Sequence, residues 1–378
     1  MYKALKISFI LTFAFVLSFQ LKATEAEGTE KHEKAETFVV RDFIMEHVGD
    51  AYIWHITKWN DHEVVVPLPV IVYSSTGWHV FMASELMHGQ SYQGLYIAEE
   101  GDYKGKVVEK NAAGEEVRPF DISITKNAFT LIFSGTLLIL IIMLVVKSYK
   151  KNGFKVKNKF VLFMEMFIMM INDDVIKPCV GKDYRKYAPY LLTVFFFVFI
   201  NNVMGLIPIF PFGANLTGNI AFTFTLAMIT FIIVNISGTK EYWREIFWPD
   251  VPLLLKFPLP FFPILEVIGV FTKPFALMIR LLANMIAGHS IMLGLISIIF
   301  ITVSMGTATN ISLSAVSIFL SIFISFVEIL VAFIQAYIFT LLSAVYIGLA
   351  KIEPHHKSQI LNLKICYYQL FYKQQELW

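Results

Sequence analysis

The sequence predicts an all-α polytopic membrane protein: about five transmembrane helices plus an interfacial helix, the last two spans forming a long tilted hairpin, with a small, β-rich exported domain at the N-terminal end. Three observations predict it. Hydrophobic residues make up 56% of the 378 and the mean hydropathy is +0.63, which is too apolar for a soluble globule and long enough for several spans. Apolar runs of spanning length are separated by polar connections, one of them lysine-rich and others without any charge. Finally, 18 of the 29 acidic residues fall within positions 24–126, marking that stretch as a separate polar domain. The net charge of +2, with basic residues flanking the apolar runs, offers no basic surface for nucleic acid. Cys179 and Cys366 are isolated, so neither a zinc site nor a structural disulfide is expected, and no metal or cofactor is called for.

Residues 1–23 read as a secretory signal: Lys3 and Lys6 precede an apolar run, and Ala23 and Ala26 follow it. An uncleaved anchor is the alternative, because Lys22 lies beside the cleavage point. Residues 24–126 hold only nine Lys or Arg against the 18 acids, and positive charge is retained in the cytoplasm, so this domain is expected outside. Strands are expected at 64–72 and 78–83, and turns at 101–114. His47, His55, His62, His79 and His88 show no convincing metal spacing and read as surface residues.

Residues 128–146 form an uncharged first span. The lysines that follow place its far end in the cytoplasm. Residues 160–176 read as the interfacial helix, apolar but interrupted by Glu165, Asp173 and Asp174. Spans at 188–207 and 220–236 flank an uncharged outer loop, and the last two lie at 261–303 and 311–350, turning through 304–310. A 40-residue helix would run about 60 Å, roughly twice the hydrocarbon thickness, so these two must tilt steeply or break. Residues 351–378 are then a cytoplasmic tail.

The polar residues inside these spans carry the functional argument. Arginine cannot lose its proton, and one near the middle of a span costs at least about 2.5–3.5 kcal/mol, so it normally faces a polar pathway or partner. Ala276, Arg280, Ala283, Asn284 and Ala287 share one helical face, small and polar, suited to presenting Arg280 to another helix rather than to lipid. His289 lies about half a circumference away, where it could meet Glu328 of the last span. Gln335 shares the face of Glu328, with Ala332 between them. An acid and an imidazole in a membrane suit a proton relay.

The chain resembles the a subunit of the F-type ATP synthase membrane sector over about 158–350. The resemblance rests on EMFIMMINDDVI, GKDYRKYAPYLLTVFFFVFINNVMGLIP, GANLTGNIAFT, KPFALMIRLLANMIAGH and ILVAFIQAYIFTLLSAVYIGLA. It implies a non-catalytic, proton-translocating subunit of a bacterial inner membrane, with partners in the c-subunit ring, the b subunits of the peripheral stalk and the rest of the synthase. Arg280 would be the essential arginine facing the ring. Asn284 and Gln335 match polar positions beside it, Glu266 a channel carboxylate, and Asn202 a polar position in an earlier span. The acid and histidine usual after the arginine and on the last helix stand exchanged here, as His289 and Glu328. Gly205 replaces an Asp and Asn219 an acid found in other members. The exported domain lies outside the resemblance. The rival readings are a secondary transporter binding an anionic substrate at Arg280, against which the lack of internal repeats argues, and a membrane scaffold.

Overall fold

A computed structural model describes residues 49–59, 62–101, 103–111, 114–153, 158–207, 210–247 and 261–351. The signal, most of the tail, His47 and Cys366 lie outside them.

The extramembrane part is built of three small antiparallel sheets. Strands β1 (Ile53–Trp59) and β2 (His62–Pro67) pair, β3 (Pro69–Ser74) lies between β4 (Gly77–Met82) and β8 (Phe120–Asp121), and β6 (Val107–Lys110) lies between β5 (Leu95–Ile97) and β7 (Glu116–Val117). The single strand expected at 64–72 is two, because Pro67 and Pro69 bracket Leu68 and interrupt the ladder, sending β2 and β3 to different sheets. The segment expected to be all turns contains β6, whose Val107 and Val108 are fully buried. A core of Tyr52, Val70, Val72, Phe81, Leu86, Leu95 and Val107 holds the sheets together.

Helix α1 (Lys126–Asn152) begins where that domain ends. Thr125 caps it through Ala128 N at 3.4 Å, and Asp50 Oδ1 accepts from Asn127 N at 3.1 Å, so the domain supplies acceptors for the first orphan N–H groups. Trp54 of β1 meets Phe129 of α1 and Phe210 edge-on, at 5.9 and 5.3 Å between centroids, and so ties the domain to α1 and to the loop at 207–219. Helix α2 (Lys159–Met170) passes through a π-helical segment, Ile171–Ile176, into a short helical turn, Lys177–Val180. In that segment Asp173 pairs with Lys177.

Helices α3 (Tyr184–Leu206) and α4 (Ile220–Ser237) are joined by the loop at 207–219, and a short amphipathic α5 (Lys240–Phe247), not foreseen in the sequence, follows. Asn219 caps α4 through Ala221 N at 2.9 Å. Helices α6 (Phe261–Ile301) and α7 (Thr307–Ala350) are both unbroken. Of the two expected alternatives, tilt therefore replaces breakage, since 41 and 44 residues rise about 60 Å or more. The turn is tighter than expected: a 3-10 segment, Thr302–Met305, ends at Gly306, whose φ of 98° suits glycine, and α7 starts one residue later. Among the described residues, five helical stretches, Lys126–Lys151, Lys159–Leu206, Ile220–Ser237, Ile264–Ile301 and Thr309–Ala350, are long and apolar enough to cross a membrane. The core among them joins α3, α6 and α7 through Leu191, Phe195, Leu277, Leu281, Ala336 and Phe339.

Candidate functional site

The 3.6-residue period places Arg280 as the sequence predicts. On α6, Ala276, Ala283, Asn284 and Ala287 are exposed while Leu277, Leu281 and Met285 on the opposite side are buried. Arg280 sits at the boundary, half-buried, and its Nη1 is buried without a hydrogen-bond partner. Among the described residues, nothing else covers the alanines of the face that carries it.

Beside that face α3, α6 and α7 enclose a cavity of ≈ 210 Å³. Its lining includes Asn202 of α3, Asn284 and His289 of α6, and Glu328 and Gln335 of α7. Five of the seven predicted residues therefore converge on one volume, and Arg280 lies one turn from Asn284 at its edge. Two direct bonds organise it: Asn284 Nδ2 donates to Gln335 Oε1 at 2.7 Å, and Asn202 Nδ2 donates to the carbonyl of Ala332 at 3.4 Å. What remains unpaired is more informative. Asn202 Oδ1, His289 Nδ1, both carboxylate oxygens of Glu328 and Gln335 Nε2 are buried with no partner among the described residues. Each such group left dry costs about 1–3 kcal/mol, and a polar cavity of this size has room for water to satisfy them.

The predicted meeting of His289 and Glu328 takes a different form. They line the same cavity but do not bond: His289 Nε2 pairs with the Gly205 carbonyl at 2.9 Å, on α3. His289 is aimed across the bundle at Gly205, where an added Cβ would come to 3.5 Å from His289 Cε1 and 3.3 Å from Met285 Cε. Glu328 instead lies over Gly288, where a Cβ would stand 2.8 Å from Oε1. Sequence reasoning missed Gly288; its signal was a lone glycine in a helix interior, which often marks a close approach.

Glu266 is not part of this cavity. It is exposed, fourteen residues and about 21 Å of helix before Arg280. Its neighbourhood is α5, where burial pushes the Tyr242 phenol up and the charge of Glu266 adds to the effect. Between Glu266 and Arg280 lies a second, much smaller cavity of ≈ 10 Å³ lined by Asn235, Tyr242, Lys273 and Tyr346 among others. Lys273 stands 5.7 Å from the Tyr346 ring centroid. The polar residues thus form two groups on opposite sides of Arg280 along α6.

Residues 128–348 match the family model described as ATP synthase A chain. The chain belongs to that family. The match covers all the membrane helices, and residues 43–127 match a separate domain of unknown function, DUF8433. The a subunit of Chlorobium phaeobacteroides is 45% identical over 243 residues, covering 63% of this chain and 68% of that protein. A second, from Chlorobaculum tepidum, is 44% identical over 241 residues, 62% of this chain and 65% of that one. The Myxococcus xanthus a subunit is 34% identical over 242 residues, covering 62% and 75%. The protein is accordingly a multi-pass membrane protein of the F-type ATP synthase a subunit family, and its exported-domain candidate is a distinct module ahead of the family core.

Proposed function

We propose that this a subunit conducts protons through two aqueous half-channels that meet on either side of Arg280, coupling proton flow to rotation of a c-subunit ring and so to ATP synthesis. The observation that carries it is the convergence of five polar side chains, several of their atoms buried and unpaired, on a cavity directly beside an uncovered, small-residue face bearing Arg280. The cavity holding Asn202, His289, Glu328 and Gln335 serves as the inner part of one half-channel, entered from the periplasm. The region of Glu266 serves the other, open to the cytoplasm.

Protons arriving at Glu328 neutralise a carboxylate on a ring subunit, which then turns into lipid without carrying a charge. After nearly a full rotation that carboxylate releases its proton into the second half-channel and approaches Arg280 as an anion. Arg280 holds it by charge and, being permanently protonated, blocks a direct proton path between the half-channels. A potential of 100 mV supplies about 2.3 kcal/mol per proton moved. The subunit is non-catalytic, held against the ring with the b subunits of the peripheral stalk. The layout that fits is a signal at 1–23, a periplasmic domain at 24–126, a membrane domain at 127–350 with the 160–176 helix at the interface, and a cytoplasmic tail at 351–378, in a bacterial inner membrane.

The test is ATP-driven proton uptake by vesicles containing the assembled complex, with the wild type and Arg280→Ala compared and ring subunits scored by co-purification. Loss of coupled pumping with the ring retained is expected. Normal pumping by Arg280→Ala would overturn the assignment.

A further inference from the structure

The β4–β3–β8 sheet has two unlike faces. One packs Val70, Val72 and Phe81 into the domain core. The other carries Tyr73, Trp78, Val80, Met82, Phe120 and Ile122, all exposed, with Trp78 at 60%, Val80 at 69% and Phe120 at 63%. The strand register makes these one patch: Tyr73 faces Trp78 and Phe120 on its two sides, and Ile71 faces Val80. Tyr73 and Trp78 are in ring contact at 5.2 Å. No charged side chain belongs to this face, although the segment around it holds 18 acids and nine bases. Strand spacing makes the patch about 10 Å by 14 Å between Cα atoms, before side chains are counted, and soluble surfaces rarely leave so continuous an apolar area bare.

The sheet is bound to the membrane part by its own backbone. Beyond β8 the chain stays on the sheet, Ile122 N donating to Ile71 O at 2.9 Å and Ile124 N to Pro69 O at 3.1 Å. Lys126 N then donates to Ala51 O at 2.9 Å, and Lys126 is the first residue of α1, a spanning helix. Phe120 is six residues from that point, so the patch lies within about 20 Å of the place where the chain enters the membrane. Tryptophan and tyrosine with aliphatic neighbours are the composition that favours the headgroup level of a bilayer, and acidic residues elsewhere keep the remaining faces in water.

We propose that this sheet face lies flat on the membrane, its aromatic and aliphatic side chains seated in the lipid headgroup region beside α1. The domain then acts as a monotopic foot that fixes the orientation of α1. An upright sheet would hold Val80, level with Ile122, about 13 Å above the helix start and outside the headgroup region, so Val80 is the position that decides.

The experiment places an environment-sensitive fluorophore at Val80→Cys in the full-length chain reconstituted in liposomes, with Cys179→Ala and Cys366→Ala as background. Glu115→Cys, exposed just before β7 of another sheet, is the control. Doxyl-labelled lipids should remove most of the Val80 emission and leave the Glu115 emission intact, while iodide does the reverse. Iodide quenching at Val80 overturns the proposal in favour of a face in water. A Val80 label shielded from both quenchers also overturns it, showing that a protein partner covers the face.

Discussion

Replacing Gly288 by alanine separates the position of Glu328 from the stability of the bundle. The added Cβ would stand 2.8 Å from Glu328 Oε1, 3.4 Å from its Cδ and 3.7 Å from its Cγ. The oxygen must therefore withdraw by about 0.6 Å to reach ordinary contact. It can do so cheaply, because neither carboxylate oxygen has a partner to lose and the ≈ 210 Å³ cavity lies next to it. Against this small cost, glycine to alanine within a helix returns up to about 1 kcal/mol, so the variant should be as stable as the wild type or slightly more so. Function should suffer all the same, since a misplacement of this size in a positioned proton-transfer group costs on the order of tenfold. Thermal stability of the purified complex and proton flux into vesicles read the two effects apart. Full flux in Gly288→Ala with unchanged stability would refute the claim that the placement of Glu328 matters.

Glu328→Gln should abolish ATP-driven acidification while leaving melting temperature unchanged or raised, because it removes a carboxylate whose two oxygens are buried and unpaired; a sharply destabilised variant would show that the charge has a partner after all. In the extramembrane domain, Tyr52 donates a short hydrogen bond to Asp121, and burial, reinforced by Asp121, pushes its phenol well above its ordinary value of 10. The folded domain thus keeps this proton where the unfolded chain releases it, so the stability it contributes is complete below pH 10 and is lost as pH rises through and above that value. Chemical denaturation followed across alkaline pH should show that slope in the wild type and a flatter one in Tyr52→Phe. An identical slope in both would remove Tyr52 as the cause.

The arginine face was legible because a continuous helix converts spacing directly into direction: Ala276, Arg280, Ala283, Asn284 and Ala287 need no knowledge of any other element. The separation of Glu266 from the cavity follows from fourteen residues of helix only once α6 is seen to be unbroken, which the sequence left open. His289 and Glu328 mark where this stops. Sequence places each on its own helix, but whether they touch depends on how α6 and α7 slide past one another and on what α3 offers, and the Gly205 carbonyl, 84 positions earlier, takes the imidazole. The domain follows the same rule. Pro67 and Pro69 could have announced the break between β2 and β3, whereas β6 is concealed by glycines on both sides and declared only by the burial of Val107 and Val108. Helix α5 was missed because eight residues give too little periodicity to read.

Arg280 and the cavity are two halves of one incomplete site. An arginine nitrogen buried with no partner and a glutamate with two unpaired oxygens would normally find each other, since pairing would relieve both desolvation costs. Here they are kept apart, with the Asn284–Gln335 hydrogen bond on the cavity wall one turn of α6 beyond Arg280 and seven residues of α7 beyond Glu328. If the proposed function holds, direct collapse of the ion pair would neutralise the carboxylate as a proton carrier and pin the guanidinium in the channel wall. In the proposed mechanism, holding them apart leaves each free for a mobile partner, water and protons on one side and an incoming carboxylate on the other. Substitutions that let Arg280 and Glu328 meet should therefore stabilise the bundle while stopping its function, the reverse of what a structural arginine would predict.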